Sequence, residues 1–346
     1  MDKTDKIIVG ISIGDLNGIG IEVILKTFED KRMLEFCTPV LFGATKTISY
    51  HKKALGIETP VHGIASINQI THSKINILNI WKEEVAIDLG TATKISGEYA
   101  AKSLASGVEH LKNNTIDVLI TAPINKENIQ SDTFNFPGHT EYLEANLDGK
   151  SLMILMTNEL RIGLITGHIP IAKVAESITP ELIISKVETM HNSLKQDFGI
   201  NKPKIAVLSL NPHCGDKGVI GKEDDDIIVP TIAEITATGK LVFGPYAADG
   251  FFGSETYKQF DGVLATYHDQ GLAPFKALSF GKGVNFTAGL SHIRTSPDHG
   301  TGYDIAGKNL ANPSSFTEAL FSAIEIFKTR NEHKELTGNP LLVRYS

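Results

Sequence analysis

The sequence predicts an α/β protein with mainly parallel sheets covered by helices, arranged as two subdomains with a cleft. Three observations carry this. Short apolar runs alternate with longer amphipathic stretches throughout the chain, the pattern of strand–helix units around a parallel sheet. The length, 346 residues, exceeds what one hydrophobic core usually supports. Polar clusters bearing Gly, Pro, Asn and His recur directly after the apolar runs, where open α/β sheets bind ligands.

Taken in order, the apolar runs predict strands at Ile7–Ile13, Val40–Phe42, Ile75–Ile80, Val118–Thr121, Met153–Met156, Ile162–Thr166, Ile205–Leu210, Gly262–Thr266 and Val284–Ala288. Amphipathic spacing predicts helices at Ile19–Phe36, Gly97–Lys112, Pro180–Gln196, Asp225–Thr236 and Ser315–Lys328. The Pro180 helix has Thr179 as N-cap, proline in its first turn and Gly199 beyond its end. Met153–Met156 and Ile162–Thr166 flank Asn158-Glu159, which predicts an antiparallel hairpin inside the otherwise parallel pattern. The subdomains are placed at approximately 1–125 plus 300–346 and approximately 126–299.

Composition narrows the function. The net charge of −7 argues against nucleic acid, whose phosphates call for a basic surface. Two cysteines, Cys37 and Cys214, build neither a disulfide framework nor a four-thiolate zinc site. Met1 to Lys6 is polar, and the following apolar run is too short for a signal peptide or membrane span, so a cytoplasmic location is expected. No G-x-G-x-x-G occurs, and Gly215–Lys222 fails as a P-loop because Glu223 stands where Ser or Thr is needed. No G-x-S-x-G elbow supports a serine hydrolase.

The chemistry-bearing residues sit after strands. His168, His213 and His268 each follow an apolar run. Together they suit one divalent metal with open positions for substrate; taken singly, each is better read as a satisfied loop histidine. Asp249 and Asp269 could add oxygen ligands or hold a water. Gly14–Gly20 is either a loop where a ligand meets backbone N–H groups or a turn that needs glycine. Pro137 to Glu141 opens a helix, so His139 and Thr140 lie beside unpaired first-turn N–H groups, suited to an anion or to simple capping by Thr140. Lys276, Lys282, Asn285 and Arg294 fall in one stretch and could offset the acidic background at a phosphate. Arg294 is read as lying just after an apolar strand. Cys214 adjoins His213 but has no identifiable orienting partner, which favours a structural role.

As an ordered set, Gly14-Asp15…Gly18-Ile19-Gly20, Thr121 to Lys126, Gly138 to Glu141, His168-Ile169-Pro170, Asn211-Pro212-His213, Tyr267 to Gly271 and Arg294-Thr295-Ser296…Asp298 to Thr301 span nearly the whole chain. The set resembles the 4-hydroxythreonine-4-phosphate dehydrogenase family of pyridoxal phosphate biosynthesis. The resemblance implies a fold like isocitrate and isopropylmalate dehydrogenases, which bind NAD without a Rossmann fingerprint. It implies a homodimer with active sites at the subunit interface. His168, His213 and His268 map to metal ligands, with His268 from the neighbouring subunit. His139, Thr140, Lys276, Asn285 and Arg294 map to substrate contacts, and Asp249 and Asp269 to polar groups near the metal with catalytic roles.

The implied reaction is metal- and NAD-dependent oxidation of 4-phosphooxy-L-threonine to a β-keto acid that decarboxylates to 3-amino-2-oxopropyl phosphate. The metal is left among zinc, magnesium, cobalt, nickel and manganese. A sister activity on 4-phospho-threonate or phospho-erythronate is the alternative; a phosphometabolite-binding protein and a metal-dependent hydrolase are readings from other classes. The chain departs from the family pattern at Leu16-Asn17 (usually Pro-Ala), at Ala247 to Gly250 (usually Pro-Ala-Asp-Thr), at Gly167 (commonly Thr) and at Cys214 (usually a small residue).

Overall fold

The computed structural model describes residues 6–132 and 134–338. Most of the polar opening read above, Met1–Asp5, lies outside the described residues. Twelve strands run in chain order among the described residues. The first six are β1 (Ile7–Ser12), β2 (Cys37–Gly43), β3 (Val61–Ile64), β4 (Ile75–Asn79), β5 (Val118–Thr121) and β6 (Gly149–Met156). The rest are β7 (Arg161–Leu164), β8 (Lys204–Leu208), β9 (Leu241–Tyr246), β10 (Gly262–Ala265), β11 (Val284–Leu290) and β12 (Ile293–Pro297). Helices are interleaved between them, so the class is the mixed, mainly parallel α/β fold expected.

The chain divides into two compact units. One comprises Met1–Gly149, Gly281–Phe286 and Leu290–Ile324; the other comprises Lys150–Phe280, Thr287–Gly289 and Glu325–Ser346. These bounds differ from the expected ones near 125 and 300, and the pairing of β12 with β5 is one reason. That pairing (Arg294↔Leu119) ties residues beyond 290 to the first unit.

In the first unit the strand order is β3-β4-β2-β1-β5-β12-β11. All neighbours are parallel except β11 and β12, which pair antiparallel (Asn285↔Ser296). β1 reads Ile-Ile-Val-Gly-Ile-Ser and is buried almost throughout, as a central parallel strand with both faces covered must be. The helix Lys94–Lys112 starts on a capping box. The Ser96 amide donates to Thr93 Oγ1 at 3.1 Å and the Thr93 amide to Ser96 Oγ at 3.4 Å. It lays Leu104, Val108 and Leu111 on Phe42 and Leu119. Each such side chain contributes roughly 1.5–3 kcal/mol by leaving water.

In the second unit the order is β6-β7-β10-β8-β9. β6 and β7 form the predicted hairpin (Leu155↔Ile162) around Asn158-Glu159, and the other pairs are parallel. The helix Pro180–Gln196 has the expected bounds, with Thr179 Oγ1 accepting from the Leu182 amide at 3.3 Å. Its core gathers Ile162, Leu164, Ala206, Val263 and Phe275.

Several elements differ from expectation. β3 reads Val-His-Gly-Ile and offers no apolar run, and β9 has only Leu241-Val242-Phe243 before Gly244-Pro245, a proline that an end strand tolerates. Arg294 follows β11 as expected, but it lies inside a further strand, β12, which only Ser291-His292 separates from β11. The stretch Ile19–Phe36 breaks after Gly20–Thr27 and resumes at Met33–Phe36. At the break, Asp30 Oδ1 accepts the Arg32 amide at 3.0 Å, a local bond that competes with the helix. Asp225–Thr236 becomes a π turn, Asp224–Ile228, leading into the α-helix Val229–Ala237. Among the described residues no helix is long and apolar enough to cross a membrane.

Candidate active site

Two sets of polar side chains stand at strand ends, one in each unit. In the first unit the centre is Arg294, 1% exposed on β12. Its Nε donates to Thr121 Oγ1 at the end of β5 at 3.0 Å, and its Nη2 donates to the same oxygen. Burial pulls its pKa down to about 9, against the opposing charge of Glu141, so the guanidinium stays charged at neutral pH.

His139 begins the helix His139–Asn146, whose N-cap is Gly138. No side chain caps it, so the capping alternative for Thr140 does not hold; Thr140 is half-buried in the first turn. Nε2 of His139 is shut from solvent without a hydrogen-bond partner. Burial first, then the charges of Arg294 and Lys126, hold this imidazole well below its ordinary pKa, hence neutral. Asn285 on β11 shares a face with Arg294, because its register partner Ser296 lies two residues along β12. Its Oδ1 is buried without a partner. Lys126 and Glu141 belong to this group electrostatically, though sequence reasoning gave neither a role. Their signal was position, directly after β5 and inside the His139 helix.

The Gly14–Gly20 loop resolves as a packed turn. Gly14 has φ +71°, and a Cβ there would lie 2.4 Å from the Pro123 carbonyl. Asp15 is 1% exposed, and its Oδ2 accepts from Ser96 Oγ at 2.9 Å and Asn128 Nδ2 at 2.8 Å. Asn17 donates to the Thr91 carbonyl and accepts the Asp88 amide, both at 2.8 Å. The loop's polar side chains therefore tie the chain to itself.

In the second unit β7 and β10 are parallel neighbours (Ala265↔Leu164), so the loops that follow them emerge side by side. They bring His168 and His268 together, with ring centroids 5.3 Å apart and planes inclined 45°. His268 opens the helix His268–Ser279. Gly271 lets that helix approach closely, since a Cβ would meet Ile162 at 2.8 Å and Ala265 at 2.9 Å. His268 Nδ1 lies 2.6 Å from Asp269 Oδ1. A carboxylate only accepts, so Nδ1 is the donor in this contact, and in the neutral ring that leaves the Nε2 lone pair for a metal. The rings border a hollow of about 550 Å³ with Gly167, Ile169, Tyr267 and Asp269.

His213 follows β8, the other neighbour of β10, but is not joined to that pair. Among the described residues of one chain, no three His, Cys, Asp or Glu side chains gather to hold a metal ion. His213 stands in a left-handed turn, φ 53°, a conformation costing about 1–2 kcal/mol per L-residue. Asp249 and Lys276 are exposed on the helices Ala248–Gly253 and His268–Ser279. Cys214 Sγ meets the Pro245 carbonyl at 3.5 Å and burial raises its thiol pKa, consistent with a structural residue.

Comparison with known proteins identifies the family. A family described as the pyridoxal phosphate biosynthetic protein PdxA matches residues 35–323. The chain belongs to the PdxA family. It is 50% identical over 345 residues, 99% of this chain and 95% of the relative, to a 4-hydroxythreonine-4-phosphate dehydrogenase of Bacteroides thetaiotaomicron. It is 34% identical over 328 residues, 93% of this chain and 98% of the relative, to a D-threonate 4-phosphate dehydrogenase of Cupriavidus necator. A 4-hydroxythreonine-4-phosphate dehydrogenase from Klebsiella pneumoniae superposes with TM-score 0.80 at 29% identity, over 94% of this chain and 99% of that one. This PdxA chain is therefore a dehydrogenase of the pyridoxal phosphate pathway, and a dehydrogenase needs a hydride acceptor.

Proposed function

We propose that this PdxA protein oxidises 4-phosphooxy-L-threonine with NAD, giving a β-keto acid that loses CO2 to yield 3-amino-2-oxopropyl phosphate. The observation that carries the reading is the His168–His268 pair at neighbouring strand ends, with one ring held in a metal-ready tautomer by Asp269. The donor set fits a divalent metal, because neutral imidazole nitrogens suit zinc, cobalt or nickel. His168, His213 and His268 would hold it in a homodimer that joins donors from two subunits. When bound, it supplies Lewis acidity to the substrate's hydroxyl, carboxylate and later carbonyl. A bound NAD would supply the acceptor for the hydride leaving C3 of the substrate.

The protein's own groups do the remaining work. In the first unit Arg294, with Lys126, attracts the anionic substrate, and the rigid Thr121 contact fixes the guanidinium before binding. His139 stays neutral, so its orphaned Nε2 accepts or donates a hydrogen bond without adding charge. Asn285 offers its buried oxygen on the same face as Arg294, and Thr140 a hydroxyl. Asp269 is engaged in orienting His268, which leaves the exposed Asp249 to take the hydroxyl proton, directly or through a water.

A second substrate, 4-phospho-D-threonate, is favoured by the Cupriavidus relative; it carries a hydroxyl where the amino acid has an ammonium. Absorbance of NADH decides between them, using purified protein, NAD, a divalent metal and each substrate, with a chelator control. Chelator-sensitive turnover of the threonine compound is the expected outcome. Turnover of the sugar acid alone overturns the substrate assignment, and turnover indifferent to chelator overturns the metal.

A further inference from the structure

After β8 the chain passes Pro212 and enters six consecutive residues with positive φ. His213, Cys214, Gly215, Asp216, Lys217 and Gly218 have φ of 53°, 55°, 76°, 45°, 54° and 85°. Four of the six carry side chains that disfavour this region. Local propensity therefore does not explain the turn, and something outside it must impose the conformation.

That group is Asp224, 0% exposed at the start of the π turn Asp224–Ile228. Its Oδ1 accepts the Leu210 amide at 2.8 Å. Its Oδ2 accepts the Asn211 amide at 2.9 Å and Asn211 Nδ2 at 3.0 Å. Asn211 Nδ2 also donates to Glu223 Oε2 at 2.8 Å. The Asn211 carbonyl, fixed by this grip, accepts the Cys214 amide at 3.2 Å inside the turn. On the far side the Gly215 carbonyl accepts the Gly218 and Ile220 amides, each at 3.0 Å. A Cβ on Gly215 would lie 2.4 Å from the Gly221 carbonyl, so the turn is pressed against the segment leading to Asp224. The entry of the His213 turn is thus held by Asp224, and the turn's Gly215 packs against Gly221, three residues ahead of that aspartate.

We propose that Asp224 is a positioning residue for His213, gripping the two amides ahead of the left-handed turn and so setting the direction in which the imidazole meets a divalent metal. The proposal rests on the metal reading above. Asp224 touches neither metal nor substrate; it acts through the backbone of Leu210 and Asn211. The side chain must present two acceptor oxygens to three N–H donors, which a carboxylate does and an amide cannot.

The test uses the full-length protein with Co2+ alone as probe, followed by calorimetry and by the visible absorption of the bound ion. Melting curves report the fold. Asp224→Asn should lose Co2+ affinity by about 10- to 100-fold and change the visible band, as removal of an outer-shell partner does. Asp224→Glu should restore part of both. Asp224→Asn binding Co2+ within about threefold of the parent, with the same band, overturns the proposal. If Asp224→Asn fails to fold, Asp224→Glu decides, because it keeps both acceptor oxygens but moves them by one methylene from the Leu210 and Asn211 amides; Co2+ affinity and band both equal to the parent's overturn the proposal. His213→Ala separates the two levels. If that variant retains full Co2+ affinity, the metal reading falls and the proposal with it; if it loses affinity while Asp224→Asn does not, only the role of Asp224 falls.

Discussion

Arg294 and His139 show how one unit prepares for a charged guest without counter-charging itself. The guanidinium is buried, and burying a cation is costly unless it is bonded. Thr121 meets part of that need, and Glu141 favours the charged form. The imidazole beside them is denied its proton by burial and by those same cations. The result is a group with net positive character and one neutral ring. Arg294→Lys keeps the charge but loses the planar fork that meets Thr121. Steady-state kinetics should show kcat/KM for the phosphorylated substrate falling roughly 10- to 100-fold, the effect of one lost charge-assisted contact, with KM for NAD nearly unchanged. A matching rise in KM for NAD would place Arg294 at the cofactor instead.

Among the elements, the helix Lys94–Lys112 carries the sharpest test. Alanine is a better helix former than glycine by about 1 kcal/mol, so Gly97→Ala should stabilise an isolated helix. In this fold a Cβ at residue 97 would lie 2.1 Å from the Asn128 carbonyl, which is backbone and cannot swing aside. Overpacking of this kind costs about 1–3 kcal/mol and outweighs the propensity gain. Urea unfolding should therefore show Gly97→Ala less stable than the parent, and a stabilised variant would refute the close contact.

Elements also mark what sequence could and could not tell. The buried parallel strands were legible because their apolar runs are nearly continuous, as at Ile7–Ser12 and Val118–Thr121. The Pro180 helix was legible because both its ends are punctuated. β12 was not, because its charged residue looks like loop chemistry until the partner Thr121 is seen. The π turn at Asp224 was invisible, since an α-helix and a π turn share the same local residues. Of the site, the histidines were readable from their offset after strands. Lys126 and Asp224 were not, because the first acts through space and the second through another residue's backbone.

At the scale of the whole molecule, the proposed metal site requires three imidazoles to meet. The family pattern takes His268 from the partner subunit, whereas one chain already places His168 and His268 side by side. Mixed dimers distinguish these arrangements. If His168 and His268 of one site come from different subunits, a heterodimer of His168→Ala and His268→Ala chains keeps one intact site. If both come from the same chain, neither site is intact. Because one chain already pairs these rings, no recovery in isolated heterodimers is the expected result, with His213 the borrowed ligand; recovered activity would instead take His268 from the partner subunit.

The division of the chain also sets a timetable for its birth. β5 is flanked by β1 on one side and by β12 on the other. A ribosome delivers β1 first, but β12 begins only at Ile293. At about 5–20 residues per second, the rim of β5 waits on the order of ten seconds or more for its second neighbour. Throughout that interval a row of apolar, unpaired backbone is open to any other extended chain nearby, the ordinary seed of aggregation. Overexpression yield should thus depend more on chaperone supply and growth temperature than the stability of the finished protein suggests.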